Sequence, residues 1–348
     1  MSVEVTILRG AAPARLARRA LESALLAVAV LQAAPAPAEA PTPATPAVVS
    51  YRSAVASAAA SVVTVHAAQA SSGFLPLAPK VVAKGLASGV IVDRDGHVVT
   101  NYHVIEDASE LAIARPDGTV YPARVIGTDP ASDIALLKID GDGLQPIAFA
   151  DLDDVAVGDV VLAVGNPFGI GQTVTQGIVS AIVRRGTEPL DNFVQTDAAI
   201  NPGNSGGALI DTAGRLIGVN TVILSKSGGS EGIGFAIPGD LVQTVVASLK
   251  AKGRVARSWI GMSMATASGG GARVVGVDRG GPAERAGIVP GDVVVRVDGR
   301  PVRHPQDVNY VAIGNEAGTR VTMEIARSGG KRESVDVRLA ANPSGDRK

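Results

Sequence analysis

The chain contains no cysteine in 348 residues, which excludes disulfides, thiolate nucleophiles and zinc–thiolate sites. It also lacks a charge excess: 32 basic residues face 33 acidic ones, for a formal net charge of −1. That balance, with no run of like charge, argues against a nucleic-acid binder, which normally carries a basic excess or stripe. Aromatic residues are scarce at 3%, whereas glycine is abundant at 41 residues. With many short Val/Ile runs, this composition favours an all-β chain over a helical bundle. No apolar run approaches the roughly 20 residues that a membrane-spanning helix requires.

What is present begins at the N-terminus. Arg9, Arg15, Arg18 and Arg19 precede an apolar stretch from Ser23 to Leu31, followed by Ala33-Ala-Pro-Ala-Pro-Ala-Glu-Ala40. A basic region, a short apolar core and A-x-A-like ends describe a secretory signal. The long lead-in before the arginines and Glu22 at the edge of the apolar core depart from that pattern, and an uncleaved membrane anchor and a cytosolic amphipathic tail are the alternatives. A Pro/Ala linker over 35–47 separates this segment from the globular chain, which is expected to start near residue 48.

From Ser61 to Ile237 short β-branched runs alternate with turn signals, as in Val98-Val-Thr100, Ile134-Ala-Leu-Leu-Lys-Ile139 and Val160-Val-Leu-Ala-Val164. Such spacing predicts barrels or sandwiches. Leu241, Val242, Val245, Val246 and Leu249 instead recur at helical spacing, between Pro238 and Gly253, and predict one helix over 239–252. A second short-stranded module follows to about Ala341, and residues 342–348 form a polar tail.

The chemistry centres on Asn201-Pro-Gly-Asn-Ser205-Gly-Gly207. A nucleophilic serine needs an exposed hydroxyl on a tight, glycine-permitted bend and neighbouring N–H groups to hold an oxyanion. Gly203 and Ser205 N–H are the natural donors, although most Gly-Asn-Ser-Gly stretches are plain surface turns. Serine attack also requires a histidine to take its proton and a carboxylate to orient that histidine. Of four histidines, His66 ends a strand-like run, His97 lies in an Asp-Gly turn and His304 adjoins Pro305 in an expected loop. His103 follows an apolar strand, where its side chain can project into a cleft. Asp133 is the leading acid because it stands where a polar turn enters an apolar strand; Asp129, Asp140 and Asp197 compete by proximity.

Thr100-Asn-Tyr-His103-Val-Ile, Ser132-Asp133-Ile-Ala-Leu-Leu-Lys138 and Thr196-Asp-Ala-Ala-Ile-Asn-Pro-Gly-Asn-Ser205-Gly-Gly-Ala-Leu resemble the three triad blocks of the HtrA/Deg serine proteases, in the His…Asp…Ser order of the chymotrypsin-like fold. Ala87-Ser-Gly-Val-Ile-Val, Val164-Gly-Asn-Pro-Phe-Gly169, Thr175-Gln-Gly-Ile-Val-Ser180 and Gly232-Ile-Gly-Phe-Ala-Ile-Pro238 agree with it, so the likeness covers roughly residues 48–340. The resemblance implies a mostly β, two-barrel protease domain over 48–253. His103 would act as general base, Asp133 as its orienter and Ser205 as nucleophile. Gly203, Asn204 and Ser205 would line the oxyanion site, and no metal or organic cofactor would be needed. It places the primary specificity pocket at Ala199, Ile200, Asn220 and Thr221. With no acidic residue at Ala199, a small aliphatic P1 residue is expected rather than Lys or Arg.

The downstream stretch Gly280-Gly-Pro-Ala-Glu-Arg-Ala-Gly-Ile-Val-Pro-Gly-Asp-Val-Val-Val-Arg-Val-Asp-Gly299 reads as a short helix over 282–286, a turn and a strand ending in an Asp-Gly turn. It resembles a PDZ domain over 254–341. Trp259-Ile260-Gly261-Met262 is similar to the loop that captures a peptide C-terminus while the peptide adds a strand. One such module and a short stretch over 66–88 resemble the trimeric, stress-sensing DegS-like branch, in which Tyr51 would pack at a trimer interface and the 184–192 loop would sense the occupied PDZ domain. The expected partners are unfolded or misfolded proteins, or a regulatory envelope protein, in the periplasm. The competing reading is a peptide-binding chaperone or sensor.

Overall fold

The strand Ile134–Lys138 shows why these apolar runs lack a polar face. Successive side chains on a strand point to opposite sides, and here both sides are covered. Ile134 and Leu136 enter one core, Ala135 and Leu137 another. Val99 and Val98 divide in the same way, as do Leu162 with Val164 and Val161 with Ala163. A slip of one residue would exchange the two sets, so the register is strongly specified.

The computed structural model describes residues 50–71, 80–166, 171–184, 192–201, 203–223 and 230–342. The expected signal segment and linker, Pro202, the 185–191 part of the expected sensing loop and the tail beyond Asn342 lie outside the described residues.

Helix α1 (Arg52–Ala59) leads into β1 (Val62–Ser71), β2 (Lys80–Ile91) and β3 (His97–Asn101). A single-turn helix α2 (Tyr102–Ile105) then precedes β4 (Glu110–Ala114), β5 (Val120–Pro122), β6 (Arg124–Asp129) and β7 (Ile134–Lys138). These strands form an antiparallel seven-stranded sheet in the order β5-β4-β1-β2-β3-β7-β6. The next six are β8 (Val160–Gly165), β9 (Thr173–Arg184), β10 (Asn192–Thr196), β11 (Ala208–Ile210), β12 (Leu216–Ile223) and β13 (Gly234–Pro238). They close into a barrel in the order β10-β13-β12-β11-β8-β9. The expectation of a mostly β, chymotrypsin-like protease domain therefore holds, with the second body a closed barrel.

Each body has its own core, and a third cluster fills the seam between them. Helix α3 (Gly239–Lys252) caps that seam. Leu241, Val242, Val245 and Leu249 point inward, and the helix ends at Gly253, whose N–H donates to Leu249 O at 2.8 Å. Burial of one such leucine side chain stabilises the fold by about 1.5–3 kcal/mol. Tyr51 packs against the same cluster.

After α3 the chain forms β14 (Ser258–Trp259), β15 (Met262–Thr266), β16 (Ala272–Val277), helix α4 (Pro282–Arg285), β17 (Val293–Val297) and β18 (Arg300–Pro301). Helix α5 (Pro305–Gly314), β19 (Arg320–Ala326), β20 (Arg332–Arg338) and β21 (Ala340–Ala341) complete it. Strand β15 is the edge of the sheet β15-β16-β17-β19-β20. Helix α5 corrects the expectation of a loop at His304. That histidine is its N-cap: the imidazole accepts from the N–H of Asp307, whose carboxylate accepts from His304 N–H.

Candidate active site

The seam between the two β bodies brings the three motif blocks together. Strand β3 stops at Asn101, and α2 lifts His103 clear of the sheet. Asp133 follows a 3-10 turn at Pro130–Ser132 and adopts φ 55°, ψ 39°, a left-handed conformation uncommon for a residue with a side chain. That turn of the backbone aims its carboxylate back at α2. His103 N–H donates to Asp133 Oδ1 at 3.0 Å, and His103 Nδ1 lies 2.8 Å from Oδ2. A carboxylate can only accept, so the neutral ring carries its hydrogen on Nδ1 and leaves Nε2 free to take a proton. The Asp133 carbonyl is held in turn by Tyr102 N–H at 3.0 Å and Asn101 Nδ2 at 3.1 Å.

Burial opposes ionisation of Asp133. Hydrogen bonds from the His103 ring, the Thr221 hydroxyl and the His103 N–H outweigh it and hold the carboxyl below the usual carboxylate range. Thr221 bridges the site: its hydroxyl donates to Asp133 Oδ2 at 2.6 Å, and its carbonyl accepts from Ser205 Oγ at 3.1 Å. Among the described residues no hydrogen bond joins Ser205 to His103; the serine hydroxyl is turned towards Thr221. Such contacts commonly tighten only when substrate is bound.

The serine bend is fixed by main-chain bonds. Asn204 N–H donates to Asn201 O, Gly207 N–H to Asn204 O, and Gly206 N–H to Asn220 O. Gly203 and Gly206 have φ of 99° and 80°, values open to glycine with little strain. Asn204 is buried, and its N–H is already engaged with Asn201 O, so it offers no free main-chain donor.

The four residues expected at the specificity pocket lie in different surroundings. Ile200 packs within the core of the closed barrel. Asn220 is buried and donates from Nδ2 to Ala208 O at 3.1 Å. Thr221, next along β12, points the opposite way, to Asp133. The register of β12 against β13 shifts between Asn220 and Val222, so Thr221 is the extra residue of a bulge, a device that can re-aim a side chain. Ala199 remains partly exposed, and its carbonyl accepts from Thr175 Oγ1.

A cavity of about 620 Å³ lies between the second module and the protease body. Ile260, Gly261 and Met262 line one wall, and Ser132, Asp133 and Phe193 another. Two polar links flank it. Arg257 binds Asp129 through Nε at 3.2 Å and Nη2 at 2.5 Å, and Asp129 also accepts from Ser132 Oγ. The Tyr310 hydroxyl accepts from Asn192 Nδ2 at 2.8 Å and donates to Asp240 Oδ1 at 3.1 Å. Sequence reasoning missed Arg257, Tyr310 and the reach of Thr221 to the carboxylate, because each partner lies far away in the chain.

Two family models match: a trypsin-like peptidase domain over residues 87–219 and a PDZ domain over 273–327. A probable periplasmic serine endoprotease described as DegP-like from Pseudomonas fluorescens is 40% identical over 279 residues, covering 76% of this chain and 58% of the relative. A DegP-like relative from Brucella suis is 44% identical over 277 residues, covering 76% and 53%. The chain thus spans a little over half the length of the curated relatives it matches. Among solved structures, the HtrA-type protease AlgW with a decapeptide is 38% identical with a TM-score of 0.62, covering 85% of this chain and 99% of that one. The serine endoprotease from Yersinia pestis is 38% identical with a TM-score of 0.55, over 84% and 98%. Fold and site together define a chymotrypsin-like peptidase domain followed by a PDZ domain. Within that class, the chain belongs to the HtrA-type proteases.

Proposed function

We propose that this chain is a PDZ-regulated serine endopeptidase of the periplasm that cleaves unfolded, misfolded or regulatory envelope proteins. The observation that carries this reading is the His103–Asp133 pair joined through Thr221 to the hydroxyl of Ser205. On substrate binding Ser205 Oγ attacks the scissile carbonyl while His103 Nε2 removes its proton. Gly203 and Ser205 N–H hold the oxyanion. His103 then protonates the leaving amine, and water assisted by the same imidazole hydrolyses the acyl-enzyme. Asp133 fixes the tautomer and stabilises the imidazolium.

Small aliphatic P1 residues fit a site with alanine at 199 and no acidic group there. The cavity beside Ile260, Gly261 and Met262 supports binding of a peptide C-terminus within reach of the Asp133 turn. We assign residues 1–47 to an export signal or membrane anchor with its linker, 48–253 to the protease domain, 254–341 to the PDZ domain and 342–348 to a tail. Assembly as a homotrimer through the Tyr51 region completes the proposal.

The test is turnover of unfolded casein by wild type and Ser205→Ala, with and without a hydrophobic C-terminal peptide. Loss of about a millionfold in kcat is expected for the variant, and the peptide should raise wild-type turnover. Equal turnover by both proteins would refute the serine mechanism. No turnover under either condition would favour the chaperone or sensor.

A further inference from the structure

Ser88, in the Ala87-Ser88-Gly89 stretch of β2, is fully buried, and its polar groups are all engaged. Its N–H donates to Ser205 O at 2.9 Å, and its carbonyl accepts from Thr100 Oγ1 at 2.8 Å. Its hydroxyl donates to Gly203 O at 2.7 Å and accepts from Asn166 N–H at 2.9 Å. One residue thus ties the nucleophile bend to the strand that leads to His103 and to the end of β8.

The neighbours make room for it. A Cβ on Gly165 would lie 2.9 Å from Ser88 Oγ, one on Gly207 would lie 3.2 Å from Ser88 Cβ, and one on Gly206 would collide with the Ser88 carbonyl. Three glycine backbones thus stand close against the buried serine, where side chains would collide with it.

The geometry of the bend gives this hydroxyl a task. A peptide unit is planar, so its carbonyl and its N–H point in opposite directions. In the Gly203–Asn204 unit Ser88 holds the carbonyl and Asn201 O holds the N–H. In the Asn204–Ser205 unit the carbonyl is held by Gly207 N–H, which turns Ser205 N–H to the opposite side. We propose that the Ser88 hydroxyl is a positioning residue for the oxyanion site: by fixing the peptide between Gly203 and Asn204 it sets the relative orientation of the two peptides that flank it, the preceding one carrying the Gly203 N–H and the following one the Ser205 N–H. This rests on Ser205 being the nucleophile. Ser88 touches neither substrate nor the reacting atoms. Its loss therefore weakens stabilisation of the tetrahedral state and leaves ground-state binding alone.

The experiment compares the full-length wild type with Ser88→Ala and Ser88→Cys in three measurements. The first is the affinity for a peptide boronate, which forms a tetrahedral adduct with the serine. The second is the affinity for the same peptide with an unreactive amide end, and the third is kcat and KM across pH. Ser88→Ala should bind the boronate about 10-fold more weakly, with a similar fall in kcat, while the amide peptide and KM change by less than about twofold. The acid limb of the pH profile should stay in place, because the His103–Asp133 pair is untouched. Ser88→Cys, which keeps a weak donor, should fall between. Both affinities are read on folded protein, so a less stable variant still decides the question. Unchanged boronate affinity and kcat, or an equal loss for the amide peptide, would overturn the proposal. A wild type that forms no boronate adduct would refute the nucleophile assignment itself, a result distinct from failure of Ser88 alone.

Discussion

Replacing Thr221 with valine removes one donor from Asp133 and preserves the shape of β12. The carboxylate accepts three hydrogen bonds: His103 N–H at 3.0 Å, His103 Nδ1–H at 2.8 Å and Thr221 Oγ–H at 2.6 Å. A hydrogen bond to a charged group contributes about 1.5–3 kcal/mol net. The Asp133 side chain is 27% exposed, so water replaces part of the loss and the lower value applies. A deficit of about 1.4 kcal/mol in the transition state corresponds to a tenfold fall in rate, and kcat/KM for Thr221→Val should drop by about that factor. Stability gives a second readout with a definite sign. The bond from Thr221 helps hold Asp133 below the ordinary carboxylate range. Its stabilising share is therefore complete above about pH 4 and is lost as pH falls through the lowered native value. The stability gap between wild type and Thr221→Val should be widest near neutrality and close in acid, as followed by urea unfolding. Thr221→Ser, which restores the hydroxyl, should recover activity. A valine variant within about twofold of wild type, or a serine variant no better than valine, would refute the role assigned to Thr221.

Two further substitutions probe the frame of the site. Gly206→Ala forces a side chain onto a residue with φ 80° and drives its Cβ into the Ser88 carbonyl and the Thr100 hydroxyl. It should cost about 3 kcal/mol or more in urea unfolding and abolish turnover; a stable, active variant would contradict the geometry. Arg257→Met leaves Asp129, only 5% exposed, with the Ser132 hydroxyl but no cation. Unfolding stability should fall by about 3 kcal/mol, and an unchanged midpoint would show that the pair contributes nothing.

The serine, histidine and aspartate blocks could be read from sequence because each is a short local pattern on a bend or strand end. Helix α3 could be read because five apolar residues keep a helical period between a proline and a glycine. Helix α5 could not: its N-cap is His304, outside the usual Ser, Thr, Asp and Asn set, and only a few of its side chains are buried. The sequence pattern places His103 at the end of an apolar strand, and it stands on the helical turn that follows that strand. Thr221 meets Asp133 across 88 positions, and Arg257 meets Asp129 across 128. No local pattern signals such pairings, since they exist only once the β bodies and the second module have packed.

The most direct test of the account is covalent labelling of the full-length protein with a peptidyl phosphonate carrying valine at P1, mapped by mass spectrometry. The account predicts a single adduct, on Ser205, whose formation requires His103 and is lost in His103→Ala. Labelling at another residue, or continued proteolysis by protein fully labelled on Ser205, would contradict it.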